Sequence, residues 1–172
     1  QKMGILVPVD KEMQDFQTVN DSILSNAMST AKINGNYYAI GLNVNSKILF
    51  YNKEAFEKAG LTATNTLEEL YADAENLSGK DEKGQQVWGL DEPALAGWNL
   101  LPYIWSNGGF VMDKDYKKAS GYLNSKETVE AVQKLADLYK KQSFTGFNSG
   151  DIPMTDGFGT GRYSMLLEGP WK

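Results

Sequence analysis

Two of the side chains that most often run enzyme chemistry are missing: the 172 residues contain no His and no Cys. There is therefore no imidazole base, no thiolate nucleophile and no disulfide framework, and the commonest transition-metal ligand is absent. Ser-His-Asp and Cys-His catalysis are excluded outright. What remains is carboxylates, amides and tryptophans. Glycoside hydrolysis needs two carboxylates at a fixed separation. Asp91, Glu92 and Glu168 are the candidates, but their spacing singles out no acid and base, and most other acids fall on predicted helix surfaces.

The aromatic residues carry more information. Most of the 4 Trp, 9 Tyr and 7 Phe belong in a core. Three tryptophans depart from core spacing. Trp98 follows Gly97 at a helix start, Trp105 lies in the last turn of that helix, and Trp171 follows Gly169-Pro170 just beyond a strand. A Trp at an element end presents a flat apolar face to a cleft. The C–H faces of a pyranose pack on such a ring, while amides and carboxylates serve the hydroxyls. Core packing is the competing reading for each.

Two other stretches are less specific. Asp113-Lys114-Asp115 resembles the start of a calcium loop, but Lys117 and Lys118 stand where a further ligand and a Gly are needed. It reads as a solvated turn. Gly157-Phe158-Gly159-Thr160-Gly161 is neither a dinucleotide fingerprint nor a P-loop, and reads as a mobile loop. Neither a metal nor a cofactor is expected.

The elements that must position these residues follow from periodicity and punctuation. Residues 20–31 read as a helix capped by Asn20 or Asp21, followed by a tight Asn34-Gly35 turn. Residues 37–44 and 48–51 read as strands, with polar Asn45-Ser46-Lys47 between them marking a cleft, a chain crossing or a plain surface bend. A helix follows over 52–60, with Asn52 as cap and Gly60 as stop. Thr66 and Glu69 fit a capping box ahead of a second helix. Residues 79–86 form a charged turn and 87–90 a short buried strand. The next helix ends at Gly108 in YIWSNGGF and starts near Asn99, so that Pro102 falls in its first turn. Asn124-Ser125 caps a helix with an apolar stripe of Val129, Val132, Leu135, Ala136 and Leu138. Residues 145–161 show little periodicity, and 163–167 read as a last strand. Strands alternate with helices, so the fold class is α/β.

Composition sets the outer bounds. A net charge of −5 argues against nucleic acid and against an anionic membrane surface as partners. No apolar stretch reaches membrane-spanning length. The chain starts without Met and ends abruptly after an apolar strand, which reads as a piece of a longer protein.

The order of segments GLNVNSKILFYNKEAFEKAGL, TNTLEELYADAENLS, GWNLLPYIWSNGGF, LNSKETVEAVQKLADLYKK and GRYSMLLEGPW resembles the extracellular solute-binding proteins of bacterial ABC importers. The nearest group is the carbohydrate-binding one that includes maltose-binding protein. The resemblance runs from about residue 35 to residue 172. It implies two α/β lobes with mixed sheets flanked by helices, joined by crossing strands, with solute held in the cleft between them. Residues 1–44 would be the tail of the N-terminal lobe, and 45–172 the first part of the C-terminal lobe. It further implies a monomer without enzymatic activity that delivers a mono- or oligosaccharide to a membrane permease. The setting would be extracellular, either periplasmic or lipid-anchored on the outer face of the membrane. By the same resemblance Asn45 reads sugar hydroxyls, Trp98 and Trp171 stack on sugar rings, and Asn99 stands beside Trp98 at the ligand. Gly41 departs from the pattern, since many members have Pro before the crossing. A glycoside hydrolase and a binder of non-sugar solutes are the alternatives.

Overall fold

The computed structural model describes residues 3–93, 96–146 and 151–172. The chain divides into two compact units, residues 1–46 and 47–172.

The first unit opens with three short helices, α1 (Val9–Glu12), α2 (Phe16–Ser22) and α3 (Ser25–Ser29). They are followed by a hairpin of β1 (Lys32–Ile33) and β2 (Asn36–Tyr37). Asn34 and Gly35 both take positive φ, 50° and 87°, the geometry a two-residue hairpin requires. Phe16 packs on Tyr37 at 5.1 Å between ring centroids, and the Tyr37 amide donates to Asp10 at 3.2 Å. Two expectations need correction. The single helix over 20–31 is broken at Ile23 and Leu24, which are extended, and Asn20 and Asp21 lie inside α2, whose cap position is Asp15. The Ser22 hydroxyl donates back to the Val19 carbonyl at 2.7 Å, the local competition that ends helices. The strand over 37–44 ends at Tyr37, and residues 38–47 have no ladder partner. Aromatic and branched residues favour a strand only where a neighbour accepts them.

The second unit begins with β3 (Ile48–Tyr51), α4 (Lys53–Ala59), α5 (Leu67–Asn76), β4 (Gly79–Lys80) and β5 (Gln86–Asp91). It continues through α6 (Gly97–Ser106), α7 (Lys126–Lys140), β6 (Phe144–Thr145), α8 (Met154–Gly159) and β7 (Tyr163–Glu168). The sheet runs β3-β7-β5-β4, with β6 also on β5. β3 is antiparallel to β7, while β5 runs parallel to both β7 and β6. This is the mixed α/β architecture expected. The core joins Phe56, Leu70, Ala74, Leu90, Tyr103, Leu135, Leu138, Phe144 and Met165. Helix α5 lies directly on the sheet because β5 has Gly89 at the contact. A Cβ there would fall 1.9 Å from the Ala74 carbonyl oxygen.

The caps form as read. The Asn52 side chain accepts from the Ala55 amide, and Gly60 closes α4 at φ 69°. Thr66 and Glu69 complete a capping box on α5, and the Ser125 hydroxyl accepts from Thr128 on α7. Three details differ. Helix α6 starts at Gly97, which leaves Pro102 inside it rather than in its first turn. Val129 and Val132 on α7 are exposed, and Thr128 and Ala131 are buried in their place. The stretch 145–161 takes in the last residue of β6 and all of α8, although its residues 147–150 lie outside those described. The glycine-rich part of it, read as a mobile loop, is helix where Gly157 meets the Tyr163 ring, leaving no room for a side chain.

The double glycine of YIWSNGGF divides its work. Gly108 takes φ 80° and ends α6. Gly109 is pressed against the backbone and hydroxyl of Thr128, where a Cβ would come within 2.5 Å of Oγ1. It is the seat on which α7 packs.

Candidate functional site

β5 and β7 run side by side in the same direction, and their carboxyl ends place Asp91, Glu92 and Glu168 together. In sheets of this kind ligands bind beyond the carboxyl ends of the strands. Helix α6 starts just past β5 and brings Trp98 and Asn99 to the same end. Trp171 follows β7 through Gly169-Pro170.

The two indoles meet. Their ring centroids are 5.8 Å apart with planes inclined by 31°. Trp98 is 43% and Trp171 54% exposed, so both rings keep an open face. Trp98 Nε1 donates to Glu168 Oε1 at 3.3 Å, and the Gly169 amide donates to the same oxygen at 2.7 Å. The Trp171 ring folds back over Gly169, where a Cβ would stand 2.1 Å from the indole. Glycine at 169 therefore sets where this ring lies.

Beneath Trp98 is a buried polar network centred on Lys47. Its ammonium is ion-paired with Glu92 Oε1 and also donates to Asn99 Oδ1 at 2.8 Å and to the Leu167 carbonyl at 2.9 Å. It lies 5.7 Å from the centre of the Trp98 ring. The other Glu92 oxygen accepts from the Tyr103 hydroxyl at 2.9 Å, and Asn99 Nδ2 donates to the Pro93 carbonyl at 2.8 Å. Burial pushes the Glu92 carboxyl up to about 7; Lys47 and Tyr103 pull it down and the charge of Glu168 pushes it up. Asp91 is also pushed up to about 7, first by burial and then by the charges of Glu92 and Asp151. Neither Asp91 oxygen has a hydrogen-bond partner among the described residues.

Of the residues singled out from sequence, the fold brings Trp98, Asn99 and Trp171 together. Asn99 is buried, with its amide engaged by Lys47 and Pro93. Asn45 is exposed and belongs to the first unit. Trp105 lines a separate groove of about 660 Å³ with Phe110, Met112, Tyr116 and Tyr122. Asp113 accepts the amides of Lys117 and Lys118, a closed turn. Sequence reasoning missed Lys47 and left Glu92 and Glu168 unconnected. The available signal was a lysine set directly before an apolar strand, in a polar interruption for which a cleft or a crossing was one reading beside a plain surface bend.

Comparison with known proteins identifies the chain. The family model for bacterial extracellular solute-binding proteins matches residues 1–172. The chain belongs to that family. Among curated relatives, the sn-glycerol-3-phosphate-binding periplasmic protein UgpB of Yersinia pestis bv. Antiqua is 33% identical over 117 residues, 63% of this chain and 26% of the relative. UgpB of Escherichia coli K12 is 30% identical over 131 residues, 66% of this chain and 29% of that protein. The chain thus spans under a third of the length of either. Among solved structures, the ABC substrate-binding protein Lmo0181 of Listeria monocytogenes, in complex with cycloalternan, superposes with a TM-score of 0.79 at 24% identity, covering 99% of this chain and 44% of that one. The GacH receptor of Streptomyces glaucescens, described with acarbose, gives 0.76 at 25% identity, covering 99% and 42%. Among the described residues, no helix is long and apolar enough to cross a membrane.

Proposed function

We propose that the intact protein captures a mono- or oligosaccharide, or a related polyol, outside the cell and delivers it to the permease of an ABC importer. It does so as a monomer, held in the periplasm or by a lipid anchor on the outer face of the membrane. The observation that carries this reading is the Trp98–Trp171 pair, two half-open indoles, the first held by Glu168, at the carboxyl ends of parallel strands. Apolar ring faces beside a carboxylate suit a solute with C–H faces and hydroxyl edges. Sugar-binding structural neighbours agree with it.

In this reading residues 1–44 end the N-terminal lobe and residues 45–172 begin the C-terminal one. Asn45 reads hydroxyls at the crossing between the lobes, and Asn99 stands beside Trp98 at the ligand, holding the Lys47 ammonium under that ring. The lobes close around the solute, which requires that solute favour the closed state over the open one. A hydrolase is disfavoured because both Glu92 oxygens are engaged, by Lys47 and by Tyr103. The test is a tryptophan-fluorescence titration of the intact protein against mono- and oligosaccharides and hexitols, with reducing-sugar release assayed in parallel. A saturable change with one solute class and no product is expected. Turnover, or no response to any of them, would remove carbohydrate capture.

A further inference from the structure

We propose that the Trp98–Trp171 face selects neutral polyhydroxylated solutes and turns away their phosphate esters. This rests on the solute-capture reading and adds the charge class of the solute.

The inference follows from what each charged group beneath the rings already does. An ammonium has three N–H donors. Those of Lys47 are taken by Glu92, Asn99 and the Leu167 carbonyl, and its side chain is only 5% exposed. It has no donor left for a phosphate. Turning one outward would strip the buried Glu92 of its counter-ion, which low-dielectric surroundings make unfavourable. The negative side is larger once Asp91 and Glu92 ionise, above about pH 7. Glu92, Glu168 and Asp91 are all buried at the same strand ends, and among the described residues they face the single buried ammonium of Lys47. Glu168 Oε1 holds Trp98 and Gly169, while Oε2 accepts no hydrogen bond among the described residues. A hydroxyl donates to such an oxygen, whereas a phosphate dianion is repelled by it. The indole faces act in the same direction, since the negative face of the ring quadrupole favours C–H edges over anions.

Two further cations among the described residues, Arg162 and Lys172, do not compensate. Arg162, the one arginine of the 172 residues, is engaged away from the pair. Its Nε donates to the Gln86 carbonyl at 2.6 Å, and its guanidinium lies 5.5 Å from the Trp88 ring centre. Lys172, next to Trp171, is exposed, so its charge is screened by solvent.

The experiment is calorimetry on the intact protein with D-mannitol, D-glucose and maltose, and with mannitol 1-phosphate, glucose 6-phosphate and sn-glycerol 3-phosphate. At least one neutral probe should bind, with the phosphorylated probes weaker by roughly tenfold or more at low salt. That preference should shrink as salt is raised. Glu92→Gln, which removes a negative charge and leaves Lys47 uncompensated, should narrow the preference, and Lys172→Gln should leave it unchanged. The salt series on the unaltered protein tests the same point if Glu92→Gln does not fold. A phosphate ester that binds as tightly as its neutral parent overturns the charge inference and leaves solute capture standing. Binding of no probe of either kind overturns solute capture for these classes and this inference with it.

Discussion

Trp98 and Trp171, 73 positions apart in the chain, stand 5.8 Å apart between ring centroids, and Glu168, the last residue of the strand that leads to the second ring, accepts the indole N–H of the first. Trp98 is thereby tied to the strand end from which Trp171 follows. Because Trp171 is 54% exposed, its removal takes little from the core. Trp171→Ala should cost about 1–2 kcal/mol of solute affinity. It should cost under about 1 kcal/mol of stability, against roughly 3–5 for a core tryptophan. Calorimetry and urea unfolding on the same preparation check both numbers. A stability loss in the core range would assign the ring to packing.

Lys47→Met removes the centre of the buried network. At pH 8 the loss should be about 3–5 kcal/mol, because Glu92 is left charged and unpaired. Near pH 5 the loss should be smaller, because a buried Glu92 already raised to about 7 takes up a proton and becomes neutral. Urea midpoints of both proteins at the two pH values measure the difference.

Asp91 supplies a pH dependence of its own. Its folded value, about 7, lies above the ordinary carboxylate range. A raised folded value favours folding below the unfolded value near 4, and that advantage is lost as pH climbs through the folded one. The native state should therefore lose stability between about pH 4 and pH 7, by at most roughly 4 kcal/mol from this group. Asp91→Asn should flatten that slope and be relatively more stable at pH 8 than at pH 5. An unchanged slope in the variant would show that Asp91 ionises without cost.

Gly89→Ala tests the contact of α5 with β5. The added methyl group meets backbone of Ala74 rather than a movable side chain, so helix or strand must shift. The expected loss is about 3 kcal/mol, the upper part of the range for overpacking a core. Thermal unfolding measures it, and a loss of only a few tenths would mean that α5 slides freely on the sheet.

The parts of the fold governed by near neighbours could be read from the chain. Asn52, Gly60, Thr66–Glu69 and Ser125 each satisfy backbone groups within four residues, so the residue types alone announce them. The errors came where distant partners decide. Residues 38–44 look like strand but have no strand to pair with, and Gly109 is chosen by Thr128 on another helix. The same division holds at the site. Trp98 and Trp171 drew attention because each stands at an element end. Lys47 and Glu92 find each other across 45 positions, a separation without periodicity to betray it.

The pairing of β3 with β7 bears on how this unit is made. Ile48 lies opposite Glu168, so the first strand of the unit has its partner in the last. On a ribosome adding about 5–20 residues per second, β3 emerges many seconds before β7 exists. During that interval β3 offers an apolar edge with unpaired backbone to any chain it meets. That order of strands predicts that chains arrested before residue 163 aggregate more readily than chains extended past residue 168, which pelleting of released chains would measure.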